Sequence, residues 1–471
     1  MQNTTFDDLK LIHKRLKKHY QSEPMPSYEA RVAVLTSLKV SLQQFSDALC
    51  DALDKDYGKR SRQDTLVADV LPCIGNIDHT LSQLAQWMSP CPRDAGPLLS
   101  SSTVEVVYQP KGVVGIVTPW NFPVMLSIGP LISAIAAGNR AMIKLSEFTP
   151  ATNSVIREML ASCFSDTEVV VIEGEADIAA QFTSLPFDHL LFTGSTEVGR
   201  KVMKAASENL TPVTLELGGK SPVLVADDAD IEMAVERIIY GKSLNNGQVC
   251  VAPDYVLIPE GKQHAFVKAY VEHYQKLFPQ GVNSDSMTSL INQRQFQRLH
   301  DLLSNEVAAE SLVTACHKEA LDVERQLMAT HLIVNPSLQS PVMTQEIFGP
   351  LLPIITYSTI DGAINFITER PRPLALYLMS EDDSLQRKVA NQVHSGGMCI
   401  NDCVFHLAVD DAPFGGIGES GKGAYHGKEG FLTFSHAKTV MTTDAEQHNV
   451  SLLLGPEDNE FKRAVLKTLC A

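Results

Sequence analysis

The sequence predicts an α/β chain built on parallel sheets with helices on their faces. Two observations carry that expectation and a third sets its scale. Short apolar runs, such as GVVGIVT at 112–118 and EVVVIEG at 168–174, alternate along the chain with stretches of helical character. The cores of these runs, VVGIV and VVVI, are apolar at successive residues rather than at every second one, which is how a strand reads when both faces of its sheet are covered. The length, 471 residues, exceeds what a single layered unit normally uses, so two or more domains with a large core are expected.

Taken in order, residues 6–60 read as helices with exposed Lys, Asp and Gln faces, and SPCPRDAGP at 89–97 as a loop rich in proline. TVEVVYQP has strand composition and stops at Pro110. GVVGIVT is a strand, followed by a turn and a helix from about Met125. RAMIKLS is the next strand, and TPATNSVIREMLASCF a helix with proline in its first turn. EVVVIEG, HLLFTG and TPVTLELGG are further strands, with the helix STEVGRKVMKAASE before the last of them. A second alternating set runs from PVLVADDAD through YVLIPE, HLIVNP and LPIITYS to SGGMCIND. The boundary between the two sets is expected at Gly218–Gly219. No internal repeat or low-complexity tract interrupts them.

Composition narrows the function classes. Hydrophobic residues make up 44% and charged residues 20%, an ordinary globular balance. A net charge of −16 argues against nucleic acid or an anionic membrane as the main partner. The 9 cysteines form no CxxC pair; Cys399 and Cys403, the closest two, lack the other ligands of a zinc site, so no metal is expected. Reduced thiols and an N-terminus, MQNTTFDDLK, without a signal-peptide pattern point to the cytoplasm. The uncharged stretch 112–138 is long enough to span a bilayer, but Pro119, Asn121, Pro123 and Pro130 divide it into a strand, a turn and a helix start.

Five short stretches could carry chemistry. FTGSTEVGR places Gly194 and Ser195 where a strand gives way to a helix start, an arrangement that attracts phosphate. A plain strand–helix turn would read the same. IKLSE puts Lys144 at a strand's carboxyl end, with Glu147 nearby; both suit ribose hydroxyls, and both suit solvent. LELGGK sets Glu216 among apolar residues, where a carboxylate is either a base with a raised pKa or a paired structural group. TPWNFP fixes a loop with two prolines and presents Asn121, an oxyanion donor or a polar member of a rigid aromatic turn. EIFGP, with Glu346 and Phe348, means little alone. Near NNGQVCVAPDY nothing local separates Cys250 the nucleophile from Cys250 the buried thiol.

Together the stretches TPWNFP, FTGSTEVG, LELGGK, NGQVC, EIFGP and PFGGIGESG, in that order, resemble the NAD(P)-dependent aldehyde dehydrogenases over almost the whole chain. The separation of Glu216 from Cys250 also matches that family. The resemblance implies a Rossmann-like cofactor domain, an α/β catalytic domain and a small β oligomerisation arm. On that template residues 1–88 and 110–217, with part of 405–430, bind the cofactor. Residues 218–404 are catalytic, 89–109 and about 431–445 form the arm, and 446–471 are a tail. It implies Cys250 as nucleophile, Glu216 as general base and Asn121 as oxyanion donor. For the cofactor it implies Lys144 and Glu147 at the adenosine ribose, Gly194 and Ser195 at the pyrophosphate, Trp120 along the channel, and Glu346 and Phe348 at the nicotinamide ribose.

CVAPDYVL, CINDCVFH and GKGAYHGKEGFLTFSHAK resemble the class-three-like branch of the family. Within it, VVYQPKGVVGIVTPWNFP and IKLSE are most similar to the bacterial coniferyl aldehyde dehydrogenases. Medium- and long-chain aliphatic aldehydes are the alternative substrates. Glu147 would accept bonds from a free ribose 2′-hydroxyl and repel a 2′-phosphate, so NAD is expected, with NADP as the alternative. Cys399, Cys403, His406 and His426 are expected to be structural, and the branch implies a homodimer. The polar stretch GPEDNEFKRAVLKTLCA is too short in apolar residues to be an anchor. A CoA-acylating relative would lack the deacylating glutamate, and a non-catalytic relative would have no use for Cys250, Glu216 and Asn121 together.

Overall fold

The computed structural model describes residues 5–96, 99–444 and 460–469. Residue 445 and most of the tail expected at 446–471 lie outside the described residues; the helix Glu460–Leu469 is the part inside them. Two helices, Phe6–Ser22 and Tyr28–Tyr57, open the chain, each started by a hydroxyl cap, Thr5 and Ser27.

The first alternating set forms a six-stranded sheet. Its spatial order is Gly421–Lys422, Val213–Leu217, His189–Gly194, Val113–Val117, Arg140–Lys144, Val169–Ile172. All neighbours are parallel except Gly421–Lys422, which runs antiparallel to Leu215–Glu216. Val113–Val117, first in sequence among the parallel strands, is central. The next two strands stack on one side of it and the last two on the other, the doubly wound Rossmann order. Every residue of Val113–Val117 and Arg140–Lys144 is buried, so the apolar runs reflect cover on both faces.

The chain leaves this sheet at Leu217 and enters a second one at Pro222. That sheet has seven strands, ordered Leu312–Ala315, His331–Val334, Leu351–Tyr357, Tyr255–Pro259, Pro222–Val225, Ala375–Met379, Gly397–Ile400. Only Leu312–Ala315 is antiparallel. A third, small sheet joins Cys91–Arg93, Ser102–Pro110 and Ser435–Thr443, all antiparallel.

One local expectation differs: within SPCPRDAGP, expected as a loop, Cys91–Arg93 is a strand, because it pairs antiparallel with Val104–Val106. The helix expected from about Met125 is Met125–Ala136, with Pro130 inside it. Every residue of the helix but Leu126 is buried, and packing compensates for the intrahelical bond that proline forfeits.

Candidate active site

Strand order reverses between Val113–Val117 and His189–Gly194, and a crevice opens beyond the carboxyl ends of these strands. It is a cleft of about 540 Å³, lined by Trp120, Asn121, Gly194, Ser195, Glu216, Cys250, Glu346 and Phe348 among others. Residues on strands of the first sheet, such as Glu216, therefore share one space with Cys250 and Glu346, which lie between strands of the second, although Cys250 and Asn121 are far apart in sequence.

Asn121 sits on the loop after Val117 and is 2% exposed. Its backbone carbonyl accepts bonds from Arg60 Nη1 at 2.8 Å, Tyr57 Oη at 3.2 Å and Asn245 Nδ2 at 3.2 Å. Its side-chain Nδ2 donates to the Gln248 carbonyl at 3.1 Å. Arg60 in turn is paired with Asp69 in full burial. The loop is thus held from the N-terminal helices on one side and from the cysteine turn on the other. Trp120 meets Phe348 edge to face at 5.4 Å.

Cys250 follows a turn of left-handed residues, Asn245 (φ 47°), Asn246 (φ 53°) and Gly247 (φ 76°). Asparagine and glycine are the residues that take this conformation at least cost. Buried amides fix the turn: Asn246 Nδ2 donates to the Thr288 and Met328 carbonyls, and Gln248 Nε2 to those of Asn245 and Ser289. Burial, then the carboxylates of Glu346 and Glu216, push the Cys250 thiol up to about 12, against backbone N–H groups of Cys250 and Val251 that favour the thiolate.

Glu216 lies on Val213–Leu217 and is 3% exposed. Neither carboxylate oxygen has a hydrogen-bond partner among the described residues. Burial alone raises its pKa well above the carboxylate range. A paired structural carboxylate would look different, since buried polar groups are otherwise nearly always bonded. Burial raises the pKa of Tyr425, not singled out by sequence, well above its ordinary value, and Glu216 and Cys250 add to the rise.

Glu346 Oε1 accepts a bond from the Gly219 N–H at 3.2 Å. Burial and the neighbouring Asp254 raise its pKa to about 7, against Gly219, Lys220 and Arg298. Gly194 and Ser195 open the helix Thr196–Ser207, with the Ser195 hydroxyl capping Val198 N at 3.4 Å.

Lys144 and Glu147 are apart from this group. They lie at and beyond the end of Arg140–Lys144, beside the Trp120 loop, and do not line the cleft. Lys144 is 1% exposed, and its Nζ donates to the Leu145 carbonyl at 2.6 Å. Burial lowers its pKa. Gln295 and Arg298, on the helix Gln293–Ala308, do line the cleft and were not foreseen, because nothing in INQRQFQRLH marks them. Cys399 Sγ is 3.2 Å from His406 Nδ1, Cys403 and His426 are buried, and none of these lines the cleft. Among the described residues no cluster of His, Cys, Asp or Glu could hold a metal ion, and no helix is long and apolar enough to cross a membrane.

The sequence profile of the Aldehyde dehydrogenase family matches residues 5–440. A relative in Pseudomonas aeruginosa, "Probable coniferyl aldehyde dehydrogenase", is 47% identical over 436 residues, 93% of this chain and 91% of that one. "Coniferyl aldehyde dehydrogenase" of Pseudomonas sp. strain HR199 is 41% identical over 430 residues, 91% and 89% of the two chains. The substrate-bound state of Staphylococcus aureus AldH superposes with a TM-score of 0.92 at 35% identity, covering 98% of this chain and 99% of the other.

Proposed function

The chain belongs to the aldehyde dehydrogenase family and oxidises aldehydes, and from that premise we propose that its substrate is an aromatic aldehyde, coniferyl aldehyde first, taken to the acid with NAD⁺. The observation that carries the residue assignment is the convergence of Cys250, Glu216 and Asn121 on one cleft at the carboxyl ends of a doubly wound sheet. The names of the relatives from the two Pseudomonas strains support the substrate.

The cleft suits a dinucleotide. It runs from the start of the helix Thr196–Ser207, whose first N–H groups favour phosphate, to the carboxylate of Glu346. When bound, the nicotinamide accepts the hydride. The protein's residues do the rest. The Cys250 thiolate adds to the aldehyde carbon, giving a thiohemiacetal. Asn121 Nδ2 and the Cys250 N–H donate to the oxyanion. After hydride leaves, the acyl group remains on Cys250 as a thioester. Glu216 takes a proton from water, which displaces the Cys250 sulfur and releases the acid. Glu346 and Phe348 hold the nicotinamide ribose, and Trp120 lines the channel. Lys144 and Glu147 hold the adenosine ribose; Lys144 would have to swing off the Leu145 carbonyl to do so. Glu147 beside a 2′-hydroxyl favours NAD over NADP.

The division into cofactor domain, catalytic domain and arm belongs to the same reading; sheet membership supports it. A homodimer and a cytoplasmic setting belong to the same reading. Purified protein mixed with NAD⁺ or NADP⁺ and a panel of aldehydes, followed by absorbance of the reduced cofactor, tests the reading. Coniferyl aldehyde with NAD⁺ is expected to give the highest kcat/KM. A higher value with medium- or long-chain aliphatic aldehydes would replace the substrate. No reduction with any pair would point to a non-catalytic relative.

A further inference from the structure

We propose that Lys220 and Asp254 are a positioning pair that fixes Glu346 and thereby sets the affinity for the nicotinamide cofactor, without taking part in the chemistry at Cys250. This rests on the reading of Glu346 as a contact to the nicotinamide ribose.

Lys220 lies in the crossover between the two large sheets, and Asp254 lies four residues after Cys250. Their side chains form an ion pair that is 15% and 4% exposed. Each also holds the backbone beside Glu346. Lys220 Nζ donates to the Gln345 carbonyl at 2.9 Å and to the Val342 carbonyl at 2.7 Å. Asp254 Oδ2 accepts from Ile347 N at 2.9 Å. The residue before Glu346 is therefore held by the cation and the residue after it by the anion. Arg298 Nη2 donates to the Ile347 carbonyl at 2.6 Å, and the Gly219 N–H donates to the Glu346 carboxylate.

The segment needs such restraints. Residues 345–350 form neither helix nor strand, and Phe348 has φ 48°, a conformation disfavoured for an aromatic residue. A buried ion pair is a weak source of stability, because desolvation offsets its attraction, and apolar replacements are often as stable. Its use here is geometric: apolar side chains could fill the space, but could not bond to the backbone on both sides of one carboxylate.

The test compares Asp254→Asn, Lys220→Met, their double variant and Glu346→Gln by steady-state kinetics with NAD⁺ varied at saturating aldehyde and the reverse. A single variant strands one member of the ion pair and can impair folding; the double variant removes both members. Each clamp variant that folds should raise KM for NAD⁺ by about tenfold or more and change KM for aldehyde by less than about twofold. Lys220→Arg, which keeps the charge, should recover part of the loss. Adding Asp254→Asn to Glu346→Gln should raise KM for NAD⁺ no further, since both act through one group. An unchanged KM for NAD⁺ in the double clamp variant, or additive effects with Glu346→Gln, overturns the pairing while Glu346→Gln itself remains impaired. A Glu346→Gln variant with unchanged KM for NAD⁺ overturns the cofactor role of Glu346, and the proposal with it.

Discussion

The carboxylate of Glu346 packs directly on Gly218: a β-carbon built on that glycine would overlap Glu346 Oε2 and crowd its Cδ. The glycine is there for close approach, not for turn geometry, as its φ is not in the left-handed region. The obstructing atoms are the end of a flexible side chain, so the fold can absorb a methyl by displacing the carboxylate. Gly218→Ala should therefore keep a near-normal Tm and raise KM for NAD⁺ by about tenfold, like Glu346→Gln. Titration of both variants with NAD⁺ checks this; a variant that unfolds, or binds NAD⁺ normally, contradicts it.

Asn121 is held by its backbone, so its side chain can be removed without releasing the loop. The Arg60, Tyr57 and Asn245 bonds all go to its carbonyl. Asn121→Ala should lower kcat by about 10²–10³-fold, the usual loss for an oxyanion donor, with KM for NAD⁺ nearly unchanged. The measurement is steady-state kinetics beside a thermal melt.

Glu216 links activity to stability with opposite pH trends. Burial raises its folded pKa above the unfolded value. Between those two values the folded protein holds a proton that the unfolded chain has lost, so stability falls as pH rises through that window. The base form, by contrast, accumulates as pH rises. Acid release should thus speed up with pH while Tm declines. Glu216→Gln removes the buried charge, so its Tm should match the parent's near pH 5 and exceed it near pH 9. Part of the parent's slope should remain, since Glu346, raised to about 7, has the same sign. Melts across that range decide it; a parent more stable than the variant at high pH contradicts an unpartnered carboxylate.

The strands were legible because parallel strands buried on both faces leave uninterrupted apolar runs, as in Val113–Val117 and Tyr255–Pro259. The cleft was legible only as separate stretches. Nothing in the spacing of TPWNFP and NGQVC brings Asn121 to the Gln248 carbonyl; the fold does. Arg298 escaped notice because it lies on an amphipathic helix whose polar face reads as solvated. Lys220 and Asp254 were visible as letters of LELGGK and VAPDY, but an ion pair between them depends on the crossover from one sheet to the other.

The most direct test of the central claim, that Cys250 carries an acyl intermediate which Glu216 releases, is one measurement on Glu216→Gln. The variant is mixed with NAD⁺ and coniferyl aldehyde, and the reduced cofactor and the intact mass of the chain are followed together. The predicted result is a burst of about one equivalent of reduced cofactor per site, matched by one acyl group on the chain that maps to Cys250 and is absent from Cys250→Ala. Rapid multiple turnover without an adduct, or an adduct on another residue, would contradict it.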